Sequence, residues 1–122
     1  MKIAIPIEEK VMEGKIASNF GRAPYFLVYD TELGVGKFHS NPAMLSQGGA
    51  GIKAGQTIVD LGAEVLLTPL CGEKAGLVLR EAGVKIYQTD GDGVEKNLEA
   101  FQAGTLKELT ELHKGFHQHG GR

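Results

Sequence analysis

Short apolar runs separated by glycine-rich turns dominate the first ninety residues of the chain. Alternation of isoleucine with smaller residues over 3–7 predicts a first β-strand. The aromatic and β-branched run 25–30 predicts a second strand, and residues 35–40 a third that forms a hairpin with it. Residues 64–70 are almost continuously apolar, which is typical of a central strand that is covered on both faces. Residues 84–87 predict the last strand.

Between the later predicted strands, apolar residues recur at the spacing of a helix. Glycines stand at the predicted starts or ends of these segments, where helices commonly begin and stop. Thr105-x-x-Glu108 has the form of a capping box and predicts a fourth helix that continues through Leu106, Leu109 and Leu112. The three earlier helices are predicted over residues 48–62, 72–83 and 94–104.

The predicted order of elements is β-β-β-α-β-α-β-α-α. An antiparallel hairpin followed by right-handed crossovers gives a mixed sheet of about five strands with helices on both faces. This order matches the ribonuclease H-like α/β/α layout, a three-layer α/β fold in which the second strand is antiparallel. The loops after the first, third and fourth strands then meet at one sheet edge, where such folds bind ligands, and the turn 90–93 after the fifth strand is predicted to join them.

Length, charge and cysteine content limit the classes of function. The chain has 122 residues and a formal net charge of -2, which suits one domain over residues 1–114 and a flexible His-containing tail over 115–122. Without a basic excess we expect no nucleic-acid partner, and without a long apolar run no membrane partner. A single cysteine and no recognisable targeting segment predict a cytoplasmic protein.

The only cysteine, Cys71, lies between the fourth predicted strand and the second predicted helix. The N–H groups at a helix start favour a thiolate or a bound anion, and Gly72 and Lys74 belong to the same turn. Free cysteines are also often inert and buried. The position favours a functional thiol over a buried one.

Two other loops could contribute to the same edge. In the segment 18–24, Phe20 is expected to anchor the loop, Gly21 to permit an unusual backbone angle, and Arg22 to offer a guanidinium fork. The alternative is a packed loop with a surface arginine. The segment Gly48-Gly49-Ala50-Gly51 could cradle an anion with backbone N–H groups, or it could be a flexible entry to the helix.

The histidines and acidic residues do not form a recognisable catalytic arrangement. His113, His117 and His119 could hold a metal loosely, or belong to a disordered polar tail. The first predicted strand lacks the carboxylates of a two-metal nuclease, and there is no Gly-x-Ser-x-Gly motif. Nothing in the sequence holds a general base beside Cys71. We therefore expect that the protein is not an enzyme.

Together these motifs resemble the dinitrogenase iron–molybdenum cofactor biosynthesis family, over residues 1 to about 109. The resemblance is carried by Ser18-x-Phe20-Gly21-Arg22-Ala23-x-Tyr25-Phe26, Asn41, Gly48-Gly49-Ala50-Gly51 and the turn Gly72-x-Lys74-Ala75. It implies a ribonuclease H-like fold without nuclease activity. The cofactor-binding residues that it implies are Phe20, Gly21, Arg22, Asn41, Gly48, Gly49, Gly51, Cys71, Gly72 and Lys74.

The resemblance further implies binding or carriage of an iron–sulfur or iron–molybdenum type cluster, with cluster donor and acceptor proteins as partners. One cysteine cannot supply the four ligands of an ordinary iron–sulfur cluster. A preformed cluster needs only one or two anchors, which favours transient carriage with Cys71 as the principal ligand and His113, His117 and His119 as auxiliary ones. The alternatives are a binding module for a small anionic metabolite or nucleotide, and a protein-interaction adaptor.

Overall fold

A computed structural model describes residues 1–110 of the chain, which form one six-stranded sheet with helices on both faces. The predicted tail over 115–122 lies outside the described residues. The strands are β1 (Lys2–Ile7), β2 (Tyr25–Asp30), β3 (Val35–Ser40), β4 (Val65–Thr68), β5 (Lys85–Gln88) and β6 (Lys107–Glu108). The helices are α1 (Ala50–Asp60), α2 (Glu73–Glu81) and α3 (Val94–Gln102), and a short 3-10 turn spans Phe20–Arg22.

The sheet is mixed, in the order β3-β2-β1-β4-β5-β6. Strand β2 is antiparallel to both of its neighbours, β1 and β3. Strands β1, β4 and β5 are parallel to one another, and the two-residue β6 closes the sheet antiparallel to β5. The predicted mixed sheet with an antiparallel second strand is confirmed, with six strands instead of about five.

Alternation along the central strands supplies two apolar faces. In β1, Ile3, Ile5 and Ile7 pack into one core cluster, whereas Ala4 packs into the other. Strand β4 divides in the same way, because Leu66 lies on the opposite face from its two neighbours. Both strands are therefore covered on both sides, as the near-continuous apolar run of β4 predicted.

The helices complete three layers. On one face, α1 and α2 contribute Ala54, Ile58 and Leu79 to the core; on the other, α3 contributes Val94 and Leu98. The predicted ribonuclease H-like α/β/α arrangement is confirmed. Within residues 1–110 there is no helix with the length and apolar character that crossing a membrane requires.

The predicted fourth helix after Thr105 is wrong where the structure describes it. The Thr105 hydroxyl donates to the carbonyl of Ala100 at 3.1 Å, back toward α3, instead of capping a new helix. The chain then pairs with the free edge of β5, and the Leu109 N–H donates to the Ile86 carbonyl at 2.7 Å. An available strand edge thus outweighs a weak local helix signal. Leu112 lies outside the described residues.

The stability of this architecture depends on the side chains between the sheet and the α1–α2 layer. Leu66 is fully buried at the centre of that layer. We expect Leu66→Ala to lower the free energy of unfolding by about 2 to 5 kcal/mol, because a cavity replaces the lost methyl groups. Urea unfolding followed by circular dichroism measures the loss. Leu77→Ala, on the exposed face of α2, is the control and is expected to change stability by less than about 1 kcal/mol. Equal losses would contradict this assignment of the core.

Candidate functional site

Three chain segments meet around a cavity of about 550 Å³ at the edge where β1, β3 and β4 end. The volume is within the range of small-molecule binding sites. The cavity is lined by Ser18, Asn19, Phe20, Gly21, Arg22, Gly49, Ala50, Gly51, Ile52, Leu70, Gly72, Glu73, Lys74 and Ala75. The predicted convergence of the three loops is therefore observed. The turn 90–93, predicted to join them, instead pairs with Lys15 and Ile16 and does not line the cavity.

Two helix N-termini open onto this cavity. Gly49 precedes α1 and Gly72 precedes α2, so neither helix has a side-chain cap. Gly49 adopts φ 67° and ψ 23°, a left-handed conformation that favours glycine. The first helical hydrogen bonds run from Lys53 N to Gly49 O and from Gly76 N to Gly72 O. The N–H groups of residues 50–52 and 73–75 thus have no partner inside their helices, which suits an anion.

The 3-10 turn forms another part of the cavity wall, beside the start of α1. Phe20 is buried, and its ring lies 5.4 Å from that of Phe26, so it is the anchor that the sequence predicted. Gly21 does not have the positive φ that we expected. The absence of a side chain at Gly21 instead allows the 3-10 turn to pack closely on α1, since a Cβ there would lie 3.4 Å from the backbone N and Cα of Gly51. A side chain at position 21 would thus lie directly against the first turn of α1.

Asn41 supports this wall from the buried side. Its side-chain amide donates to the carbonyls of Gly21 at 3.1 Å and Ala23 at 2.9 Å, and its Oδ1 accepts from the Ala43 N–H. The side chain is 5% exposed and does not line the cavity. The structure therefore places Asn41 as a support for the loops and not, as predicted, among the residues that face a ligand.

Arg22 lies at the mouth of the cavity. Its Nη1 donates to the carbonyls of Met44, at 3.0 Å, and of Ser46. Arg22 and Lys74 bring positive charge to the lining, and Glu73 brings one negative charge. Asn19 caps the 3-10 turn, since its Oδ1 accepts from the Arg22 N–H. The guanidinium thus joins the cavity wall to the segment that follows β3.

Cys71 does not have the environment predicted for a thiolate. The side chain is 1% exposed and packs in the core cluster with Ala54 and Ala75, while Leu70 and Gly72 on either side line the cavity. Burial raises the pKa of the Cys71 thiol to about 11, and the positive charge of Arg80 offsets this only in part. The expectation of a thiolate stabilised by the helix is therefore wrong. Strand β4 ends at Thr68, so Leu70 and Cys71 lie beyond it and strand alternation does not predict which of them faces the core.

The remaining predicted residues are not brought together. Gly48 is exposed and lies beside the cavity without lining it. His113, His117 and His119 lie outside the described residues, so their predicted role as metal ligands stays a prediction. In the described part of the chain, no group of three or more His, Cys, Asp or Glu could hold a metal ion. Sequence reasoning missed Ile52, Leu70 and Glu73, whose apolar or charged character fitted ordinary helix and strand ends.

The sequence profile of the family described as "Dinitrogenase iron-molybdenum cofactor" matches residues 1–104, which include every residue that lines the cavity. The chain belongs to the dinitrogenase iron–molybdenum cofactor family. The resemblance inferred from the loop motifs is thus confirmed, and the family match extends over nearly all of the described fold.

Two solved structures and one further sequence are similar to this chain over most of their length. The apo form of the orange protein from Desulfovibrio gigas is 32% identical with a TM-score of 0.88, over 93% of this chain and 96% of that one. A Thermotoga protein proposed to be a NifB protein is 35% identical with a TM-score of 0.82, over 94% and 98%. An uncharacterised protein of Methanocaldococcus jannaschii is 25% identical over 112 residues, 89% of this chain and 92% of that relative.

The buried thiol of Cys71 predicts a specific dependence of stability on pH. In the folded protein the thiol stays protonated until its pKa of about 11, whereas an unfolded chain releases the proton near the ordinary value of 9.0. The thiol's contribution is complete below pH 9 and is lost as the pH rises toward 11. The loss is expected to be roughly 2 to 3 kcal/mol.

Urea unfolding between pH 8 and 11 measures this loss. Cys71→Ala is the matched variant, since it lacks the thiol but keeps every other ionisable group of the protein. The difference in unfolding free energy between the two proteins isolates the contribution of Cys71. A difference that stays constant from pH 8 to 11 would contradict a buried, protonated thiol.

Proposed function

We propose that this family member binds and carries a preformed anionic metallocluster of the iron–sulfur or iron–molybdenum type, without catalysing a reaction. The observation that carries the proposal is the pair of uncapped helix N-termini, at Gly49 and Gly72, that open onto one cavity. Family membership and the likeness to the orange protein and to the Thermotoga protein support a role connected with cofactors.

The electrostatics of the cavity suit an anionic cargo. First-turn N–H groups of two helices direct partial positive charge toward the same space. Arg22 and Lys74 add formal positive charge at its wall, against the single carboxylate of Glu73. Backbone N–H groups also hydrogen-bond to the sulfides or the ligand oxygens of a cluster without requiring a metal–protein bond. The cavity can therefore neutralise a cluster from several sides.

The donor set of the cavity argues for a cargo that brings its own ligands. Among the described residues that line the cavity, none is a cysteine or histidine. Cys71 lies behind the lining in the apolar core. We therefore propose that the cargo keeps its own sulfide or organic ligands and is held by hydrogen bonds and charge. This replaces our prediction of Cys71 as the principal ligand.

A carrier of this kind works between other proteins. We propose that its partners are donor and acceptor proteins for the cluster and that it acts in the cytoplasm. The family's connection with a nitrogenase cofactor supports partners of this class. A site that holds cargo through hydrogen bonds also favours transfer, because release breaks no metal–protein bond.

A binding module for a small anionic metabolite or nucleotide is the second candidate. The same uncapped N–H groups suit phosphate oxygens as well as sulfides, which is the observation that favours it. Competition distinguishes the two candidates. Tighter binding of a nucleotide than of the isolated iron–molybdenum cofactor would favour the module.

Gly72→Asp tests the location of the cargo. Gly72 has the extended conformation of an N-cap, and a Cβ there would meet nothing within 4 Å. An aspartate therefore fits, caps α2 and places a negative charge at the cavity. We expect uptake of isolated iron–molybdenum cofactor to weaken by about tenfold or more, since the carboxylate competes for the same N–H groups. Anaerobic titration followed by absorbance and metal analysis measures it.

Gly93→Asp is the matched control for this titration. Gly93 is the uncapped N-cap of α3, also extended, and it does not line the cavity. This variant adds the same charge and the same cap elsewhere on the protein, so cofactor uptake is expected to match that of the wild type. Equal weakening in both variants, or in neither, would contradict cargo binding in the cavity.

Cys71→Ala tests whether the protein supplies a thiolate ligand. Because the thiol is buried and protonated, we expect the variant to take up the cofactor with wild-type stoichiometry and within about threefold of wild-type affinity, less than the effect of one good hydrogen bond. The same anaerobic titration measures both quantities. Loss of uptake with an unchanged circular dichroism spectrum would restore Cys71 as a ligand.

A further inference from the structure

The segment between β3 and α1 is poorly anchored next to the cavity. We define residues 44–48 as the flap. It is bounded by Ala43, which is fully buried, and by Gly49 with its left-handed backbone. Leu45 is 86% exposed and Met44 is 40% exposed, so the two large apolar side chains of the flap contribute little packing to the core. The position of the flap therefore depends mainly on hydrogen bonds.

Two kinds of hydrogen bond hold the flap. The N–H groups of Met44 and Ser46 donate to the carbonyls of Asn41 at 3.2 Å and Ala43 at 3.0 Å, which are bonds of local turns. The carbonyls of Met44 and Ser46 both accept from Nη1 of Arg22, more than twenty positions earlier in the chain. Arg22 thus links the flap to the cavity wall through charge-assisted bonds, which are stronger than neutral ones.

The same guanidinium also lines the cavity. A guanidinium carries five N–H donors in a rigid planar fork, and the bonds to the flap use those of Nη1. The N–H groups of Nη2 and Nε can donate hydrogen bonds to an anion in the cavity. The side chain can therefore serve the flap and a cargo at once, which a lysine with its compact ammonium group cannot do in the same geometry.

We propose that Arg22 is a positioning residue that couples occupancy of the cavity to the order of the flap. An anionic cargo fixes the guanidinium, and the fixed guanidinium holds the carbonyls of Met44 and Ser46 more firmly. Because coupling between two binding events is reciprocal, an ordered flap also holds Arg22 ready for the cargo. This inference rests on the proposed function, since the cargo is the anionic cluster proposed above.

Amide hydrogen exchange of Met44 and Ser46, followed by NMR, tests the coupling. In the wild type, saturation with isolated iron–molybdenum cofactor is expected to slow both amides by about tenfold, the effect of strengthening one charge-assisted hydrogen bond. Arg22→Lys keeps the charge but loses the fork. Its two amides are expected to exchange faster than in the wild type without cargo, and to slow by less than about twofold when cargo is bound.

Arg80→Lys is the matched control. Arg80 also donates from one nitrogen to two backbone carbonyls, those of Leu109 and Thr110, but it does not line the cavity. This variant is expected to show the full wild-type slowing at Met44 and Ser46. Loss of the slowing in both arginine variants would overturn a specific role of Arg22.

The outcomes separate this inference from the proposed function. Cofactor that binds the wild type and leaves both amides unchanged overturns the coupling and leaves cluster binding intact. Equal slowing in the wild type and in Arg22→Lys also overturns the coupling. Failure of the wild type to bind cofactor contradicts the proposed function and the coupling with it, whereas slowing confined to proteins that carry Arg22 supports the coupling.

Discussion

Close backbone contact between small residues is the constraint on which the rest of this structure depends. A Cβ on Gly55 of α1 would lie 3.3 Å from the carbonyl oxygen of Ala75 in α2, and one on Gly51 would lie 3.5 Å from the Ala75 Cβ. A Cβ on Gly21 would lie 3.4 Å from the backbone N and Cα of Gly51. These contacts bring two helix N-termini and the 3-10 turn together at one sheet edge, and larger side chains would push them apart.

At this edge α1 and α2 begin without side-chain caps. Glycine N-caps leave first-turn N–H groups available that a serine or aspartate would satisfy. The turn before α3 is held together by the buried side chain of Asn97, which donates to the carbonyls of Asp90, Gly91 and Gly93. All three helix starts lack a side-chain cap, but only those of α1 and α2 open onto the cavity.

The residues around the cavity form two groups, those that face a ligand and those that support the cavity wall. Backbone groups, Arg22 and Lys74 face the space, Asn41 supports the wall from the core side, and Phe20 both lines the cavity and anchors its wall against Phe26. Cys71 belongs with the supporting residues, since its sulfur fills the core. A family named for a metal cofactor therefore contains, in this member, a cavity whose described lining offers hydrogen bonds and charge instead of thiolates.

Periodicity in the sequence was sufficient to predict the five longer strands and the three helices, because each depends on a local pattern. General rules of chain connection then predicted the mixed sheet and the edge where the loops meet. Tertiary structure alone decided the details of the site. Gly21 packs beside the backbone of Gly51, and the residues after Thr105 form a strand because β5 offers a free edge. Cys71 faces the core because Leu70 and Gly72 face the cavity. Such outcomes depend on partners distant in the chain, which a local pattern does not encode.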